Sequence, residues 1–592
     1  MIYVLHEGIP PGAAVGLYVP GAGGTISREG AVASLRRGKV ENALLGGKPG
    51  GKVLVDLAFG RGPGQGPAVY VELPPPGKHS NTRRYLVAVD APGFDGILTS
   101  DSTRIDGLVA IPDITQTASA LAEGRKADIR SVSGNVDDLT RLDRRLARVH
   151  RDRGWTLAVV ALMLLALGLL LPRAGVLVGA AAIVVSLWLS ATGVTRFWEV
   201  LLWMAAASAA LAFLASARRR VLPFAVALFF VALLFVLTLS SETNSLAVLG
   251  ARPDGGGRFY GIGNQVETLL LVPLIAAVVV GGLPWLVPLG ALALVTVAWS
   301  KAGADGGGLI VFAVALAVLL LRLRPAPLTW RRAVVAGAAV VALALALVGI
   351  DAALGGSSHV THAVGTGPGS LFGDLGHRLH ISWASATKSA YNIVFFLASL
   401  AALVWIGTRR PRRIGVDAMI VALAVSLVVN DTPVDVIGLG ALGCLGLLRF
   451  ESVDSRPMRR GALTLFCATA VLALAGCGGE GVVSPSPKSV VGTVQAEAPG
   501  KAIFINQGCG ACHTFTPAGP EANGNIGPDL DKLADFAKEA KQPLATFIHD
   551  SIVDPNKYIQ KGYPSNVMPK SYASLPATDL KDLVDFLSKP QG

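Results

Sequence analysis

Residues 155–450 set what this chain can fold into. About eleven apolar segments follow one another there, near 155–172, 174–191, 197–215, 221–240, 266–283, 284–300, 307–322, 332–351, 390–407, 414–430 and 433–449. Only helices satisfy their own backbone hydrogen bonds in an apolar surrounding, so serial segments of this kind predict a polytopic α-helical membrane bundle. Several are 16–18 residues long, near the lower limit for a span. Of the 592 residues, 52% are hydrophobic and 16% charged, which excludes an ordinary soluble enzyme.

The net charge of +12 is not a nucleic-acid signal. From Lys501 onward there are nine lysines, no arginines and ten acidic residues. The surplus lies in breaks between apolar segments: Arg218-Arg219-Arg220, the Arg322–Arg332 stretch, Arg409-Arg410 with Arg412-Arg413, and Arg456 through Arg460. Such clusters orient spans by staying in the cytoplasm. With eleven spans the four fall on one side, and the next apolar run, 461–476, heads outward. The expectation is a multi-pass protein of the cytoplasmic membrane, with lipid as a partner and the C-terminal region on the extracytoplasmic face.

That region holds Cys509-Gly510-Ala511-Cys512-His513. Two thiols at this spacing also describe a thiol redox pair or half a zinc site. The chain has only five cysteines and no second Cys-x-x-Cys to complete a zinc site, and no βαβ pattern surrounds the motif. The adjacent histidine points to one covalent haem c, bound through Cys509 and Cys512 with His513 on the iron. Gly527-Pro528-Asp529-Leu530 and Asn566-Val567-Met568-Pro569 follow. Met568, 55 residues after His513, is the expected second iron ligand. A thioether opposite an imidazole raises the potential and suits single-electron transfer.

With these motifs, residues 497–592 resemble the class I cytochrome c family. The likeness implies an all-α domain with a helix before the haem motif and a C-terminal helix crossing it. It also implies that the Pro528 carbonyl accepts from the other His513 nitrogen. In the sequence itself, Leu575–Asp579 reads as a helix start, and Leu580, Leu583, Val584 and Leu587 form one apolar face. Tyr558 and Tyr563 are candidates to shield the haem; His549 has no assigned role. The family likeness implies electron transfer rather than catalysis, with respiratory partners such as an oxidase or a quinol oxidoreductase.

Upstream, Met458-Arg459-Arg460, an apolar run and Leu474-Ala475-Gly476-Cys477 resemble a bacterial lipoprotein signal over 458–477, with Cys477 lipidated. The other reading is a short further membrane helix. Residues 478–496 form a Gly/Ser/Pro linker, part of a stretch reaching roughly 25 Å on average. Cleavage before Cys477 would release the cytochrome as a separate lipoprotein, and Met458 also reads as a start, as in a fusion or mis-joining of two neighbouring genes.

Polar residues interrupt the bundle. Arg258-Phe259-Tyr260-Gly261-Ile262-Gly263-Asn264-Gln265 precedes a segment with Glu267, Asp305 sits among glycines, and Asn430-Asp431 breaks another pair. In the expected topology Glu267, Asp305 and Asp431 share the outer face and form a candidate polar site. The Tyr-Gly-Ile-Gly-Asn stretch resembles an uncharacterised family of bacterial integral membrane proteins. This leaves a second function class, a membrane enzyme or transporter centred on 155–450, with the cytochrome a fused or mis-joined neighbour. His359, His362, His377 and His380 share one Gly-rich loop. Residues 1–150 read as a small, truncated α/β domain with strand-like runs at Lys52–Leu57, Ala68–Leu73 and Tyr85–Val89. Thr99–Arg104 with Pro112-Asp113-Ile114 resembles the tail of an alkaline-phosphatase-superfamily domain, without the clustered ligands hydrolysis needs.

Overall fold

The computed structural model describes residues 1–353, 382–452 and 499–588, apart from 6–8, 41–51, 60–65, 325–328, 519–521, 569–571 and scattered single or paired positions, Asp431 among them. The 458–477 signal with Cys477, the 478–496 linker and the four loop histidines lie outside the described residues.

In the N-terminal region, β1 (Ile2–Val4), β2 (Ala14–Tyr18), β4 (Leu57–Phe59), β5 (Ala68–Val71), β7 (Tyr85–Asp90), β8 (Ile97–Thr99), β9 (Leu108–Val109) and β10 (Arg130–Val132) make one sheet. Its order is β10-β8-β2-β7-β5-β1-β4, with β9 beside β2. β3 (Thr25–Ser27) pairs with β6 (Lys78–Ser80). Helix α1 (Arg28–Arg37) starts at Ser27, whose hydroxyl accepts from Gly30 N at 3.0 Å. It packs with α2 (Ile111–Ala122). Ile2, Leu17, Tyr18, Val87 and Leu98 are fully buried. Two of the three strand-like runs coincide with β5 and β7. Lys52–Leu57 does not form a strand. The Leu54 and Val55 amides both bond to the Arg36 carbonyl at the end of α1, and pairing begins only at Leu57.

Helix α3 (Val136–Leu170) is continuous for 35 residues, so the expected boundary at 150–155 falls inside a helix. No Gly or Pro occurs between 136 and 153 to stop it. At 1.5 Å per residue it is about 52 Å long, well beyond a hydrocarbon thickness of about 30 Å. Its basic first half therefore extends the apolar second half.

The bundle continues through α4 (Pro172–Gly175), α5 (Val178–Ala191), α6 (Phe197–Ala215), α7 (Leu222–Leu239), α8 (Ser241–Ser245), α9 (Asn264–Gly281), α10 (Leu283–Ala298), α11 (Gly306–Leu323), α12 (Trp330–Ala353), α13 (Ala390–Gly407), α14 (Ile414–Val429) and α15 (Pro433–Phe450). Among the described residues, eight helices are long and apolar enough to cross a membrane. Three further predicted segments appear as the shorter apolar helices α5, α10 and α14. The arginine-bearing breaks meet at one end: Arg322 pairs with Asp417 at 3.2 Å, Arg413 donates to the Glu451 carbonyl at 2.9 Å, and Arg219 lies over the Phe450 ring. At the other end Ser300 bonds Asp351 and Asn264 bonds Thr432.

In the C-terminal region, α16 (Pro499–Asn506), α17 (Leu533–Glu539), α18 (Leu544–Val553) and α19 (Ala577–Leu587) surround one apolar core. α19 crosses α16 at Gly500, where a Cβ would lie 2.0 Å from the Asp582 carbonyl oxygen. Phe504, Phe515 and Phe586 pack at the crossing with ring centroids 5.4–6.1 Å apart, Phe586 edge-on to the other two. The domain is all-helical, with its first and last helices crossed as expected.

Candidate functional site

One turn after α16, residues Cys509–Ala511 form a 3₁₀ turn. The His513 amide bonds to the Cys509 carbonyl at 3.0 Å, which sets both thiols and the imidazole on one short coil. Cys509, Cys512, His513 and Met568 line the same cavity. Phe536, Phe547, Ile552, Leu583 and Leu587 supply apolar wall.

The imidazole is fixed in direction and in tautomer. His513 Nδ1 lies 2.7 Å from the Pro528 carbonyl oxygen, which can only accept, so Nδ1 carries the hydrogen. Burial lowers the His513 pKa, partly offset by that bond. A neutral ring with Nδ1–H leaves the Nε2 lone pair free as a metal ligand. The segment holding Pro528 is itself anchored, since Gly527 N donates to the Cys512 carbonyl at 2.7 Å and Leu530 N to the Thr514 carbonyl at 2.9 Å. At Gly527 a Cβ would lie 2.3 Å from His513 Cε1, so only glycine lets the backbone reach the ring.

These groups fit haem and not the two competing readings. Burial pushes the Cys509 thiol up to about 12, far from the accessible thiolate of a redox pair. Among the described residues, no group of three or more His, Cys, Asp or Glu side chains is arranged to hold a metal ion, so a zinc site lacks partners. An apolar cavity with two thiols, a preset imidazole and a thioether on its walls matches the needs of a covalent, doubly ligated haem.

Tyr558 and Tyr563 both line the cavity. The Tyr558 hydroxyl donates to Glu539 at 3.2 Å while its ring packs on Phe547. His549 sits beside Asp550, away from the cavity. The sequence reading missed Tyr572, which lines the cavity and donates to the Gln507 carbonyl at 3.1 Å. Its place four residues after Met568 was the available signal.

In the bundle, Glu267 and Asp305 come together with Arg258 and Asn430. Asn430 Nδ2 donates to Glu267 Oε2 at 2.9 Å, and Arg258 Nη1 stands 3.7 Å from Asp305 Oδ2. Asp431, the third expected member, lies outside the described residues. In the N-terminal region, the polar Ser100–Thr103 stretch serves the turn and the start of α2. Ser102 donates to Asp113 at 2.7 Å, Asp113 accepts from Ala110 N, and Thr103 donates to the Leu108 carbonyl.

Residues 497–590 match the family model described as cytochrome c. No curated protein and no solved structure matches the chain. With the thiols, imidazole and thioether lining one cavity, residues 497–590 have the features of a cytochrome c domain, which supports a haem-containing role in electron transfer.

Proposed function

We propose that the chain is a membrane-associated monohaem c-type cytochrome that carries single electrons on the outer side of the bacterial cytoplasmic membrane. Cys509 and Cys512 hold the haem covalently, and His513 and Met568 are its axial ligands. The observation that supports this reading is the 2.7 Å contact from His513 Nδ1 to the Pro528 carbonyl, which leaves the lone pair of the other ring nitrogen free for a metal. Haem iron supplies a one-electron couple when bound. The chain's own residues bind and orient it, exclude water through the apolar wall, and leave its tyrosine-lined side as the route for transfer. An oxidase or a quinol oxidoreductase is the fitting class of partner.

Arginine-bearing breaks gathered at one end of the bundle support a cytoplasmic assignment for that end. The cytochrome then follows on the outer side, with Cys477 as a lipid anchor if the signal is processed. Haem staining after denaturing electrophoresis tests both parts. Covalent attachment predicts a stained band, at full length for an intact chain and at the size of residues 477–592 for a processed lipoprotein. An unstained chain from cells competent in haem attachment contradicts the reading.

A second reading, a transporter or membrane enzyme centred on the bundle, is favoured by one observation: Glu267 and Asp305 are buried among apolar helices.

A further inference from the structure

The loops before α9 and α11 are locked together. Gly261 has φ +84, and a Cβ there would meet the Gly303 carbonyl oxygen at 2.2 Å, while Ile262 N donates to that same oxygen at 2.9 Å. This clasp brings Arg258, Glu267 and Asp305 into one cluster. Glu267 is 0% exposed and Asp305 3% exposed. Each has one carboxylate oxygen engaged. Glu267 Oε2 accepts from Asn430, and Asp305 Oδ1 caps α11 through Gly308 N at 3.1 Å. The other two, Glu267 Oε1 and Asp305 Oδ2, have no hydrogen-bond partner.

The charge does not balance. The elements packed against α9 bring few ionisable groups to this end. α11 brings Asp305 at its start, and α15 brings Asp435, which accepts from Gln265 at 2.5 Å. α14 ends in the neutral Asn430, and α5, α7 and α10 carry no charged residue at all. Among the described residues, the cation that acts on both is Arg258, electrostatically on Glu267 and as an ion pair with Asp305. Two buried carboxylates beside one cation leave one negative charge unmatched, a costly state in an apolar bundle. One proton shared by the pair removes the excess and gives an unpartnered oxygen a hydrogen to donate. A polyvalent metal is not the fitting occupant, since among the described residues no third ligand completes a site.

We propose that Glu267 and Asp305 together hold one exchangeable proton, which makes this end of the bundle a proton-uptake site. Arg258, with its side chain 35% exposed, lies between the buried pair and the bundle surface, so water that reaches its exposed part delivers and removes the proton while the guanidinium stays charged. The site is separate from the haem cavity in residues and chemistry, and it gives the bundle a proton-linked role of its own.

Infrared difference spectroscopy of the full-length chain in lipid nanodiscs, titrated with pH in H₂O and D₂O, tests this. At neutral pH the protonated-carboxyl stretch of wild type, shifted in D₂O, is expected to include one component from this pair beside that of Glu72, whose carboxyl is pushed up to about 7 by burial. Glu267→Gln leaves Asp305 paired with Arg258 as an ion, so the pair's component is lost. Asp305→Asn, which keeps an oxygen to cap Gly308 N, leaves Glu267 with Arg258 and also loses it, and gives the same readout if Glu267→Gln does not assemble. A band of equal intensity in wild type and the variants overturns the proposal, as does wild type with no protonated carboxyl at neutral pH.

Discussion

In the cytochrome c domain, the two thiols and the imidazole that face the cavity lie within five residues, Cys509 to His513. In the bundle, the groups around Glu267 come from positions 258, 305 and 430 and meet only through packing. The first kind of site is written in one local motif and needs a cavity to receive its cofactor. The second is assembled by the fold, and its residues carry no spacing that identifies them. A short motif therefore tells which cofactor binds, while a dispersed cluster tells only what its burial and charge require.

The difference can be broken by substitution. Cys509→Ser together with Cys512→Ser is expected to abolish covalent haem while leaving thermal unfolding of the bundle unchanged. Coupled loss of both would join the two regions energetically. Gly261→Ala should do the reverse. Forcing a side chain against the Gly303 carbonyl at φ +84 costs on the order of 1–3 kcal/mol or more. Bundle stability falls, and the haem spectrum stays as in wild type.

Within the domain, Met568→Ala should lower the reduction potential by on the order of 0.1 V, within the ≈ 0.8 V over which axial ligands tune haem. A redox titration reads this, and an unchanged potential would remove Met568 from the iron. Gly527→Ala is a smaller test, because a Cβ 2.3 Å from His513 Cε1 must push either ring or backbone aside. A loss of about 1–3 kcal/mol is expected, seen in the denaturant midpoint followed by haem absorbance.

The smallest effect is electrostatic. Burial pushes the Asp579 carboxyl up to about 6, and one of its oxygens has no partner. Its unfolded value is near 4, so the folded state binds the extra proton between these two values. Stability then falls as pH rises through that window and stays reduced above it. Asp579→Asn should flatten the slope and add about 1–2 kcal/mol at pH 7, with no gain below pH 4.

The apolar segments were legible because helices this hydrophobic are specified by composition alone. 390–407 and 197–215 coincide with α13 and α6 to the residue. Boundaries set by composition were less legible. The basic run around Arg141–Arg153 marks where apolar sequence begins, yet it forms helix as readily as Ala or Leu, and α3 runs through it. Lys52–Leu57 has strand-like residues whose amides are taken by the end of α1. At the haem cavity the local motif and the Met568 spacing were readable, whereas Tyr572 belongs to no motif and shows as a wall residue only in the folded domain. Arg258 was visible in the sequence, but its service to Asp305 depends on the Gly261–Gly303 clasp, a contact between loops 42 positions apart.

The reduced-minus-oxidised visible spectrum of the purified full-length chain, with haem quantified per polypeptide, bears most directly on the account. The expected result is a c-type α-band at one haem per chain, lost when Cys509 and Cys512 are replaced. A chain made in a haem-attaching host that shows no α-band, or keeps it without these cysteines, would contradict it.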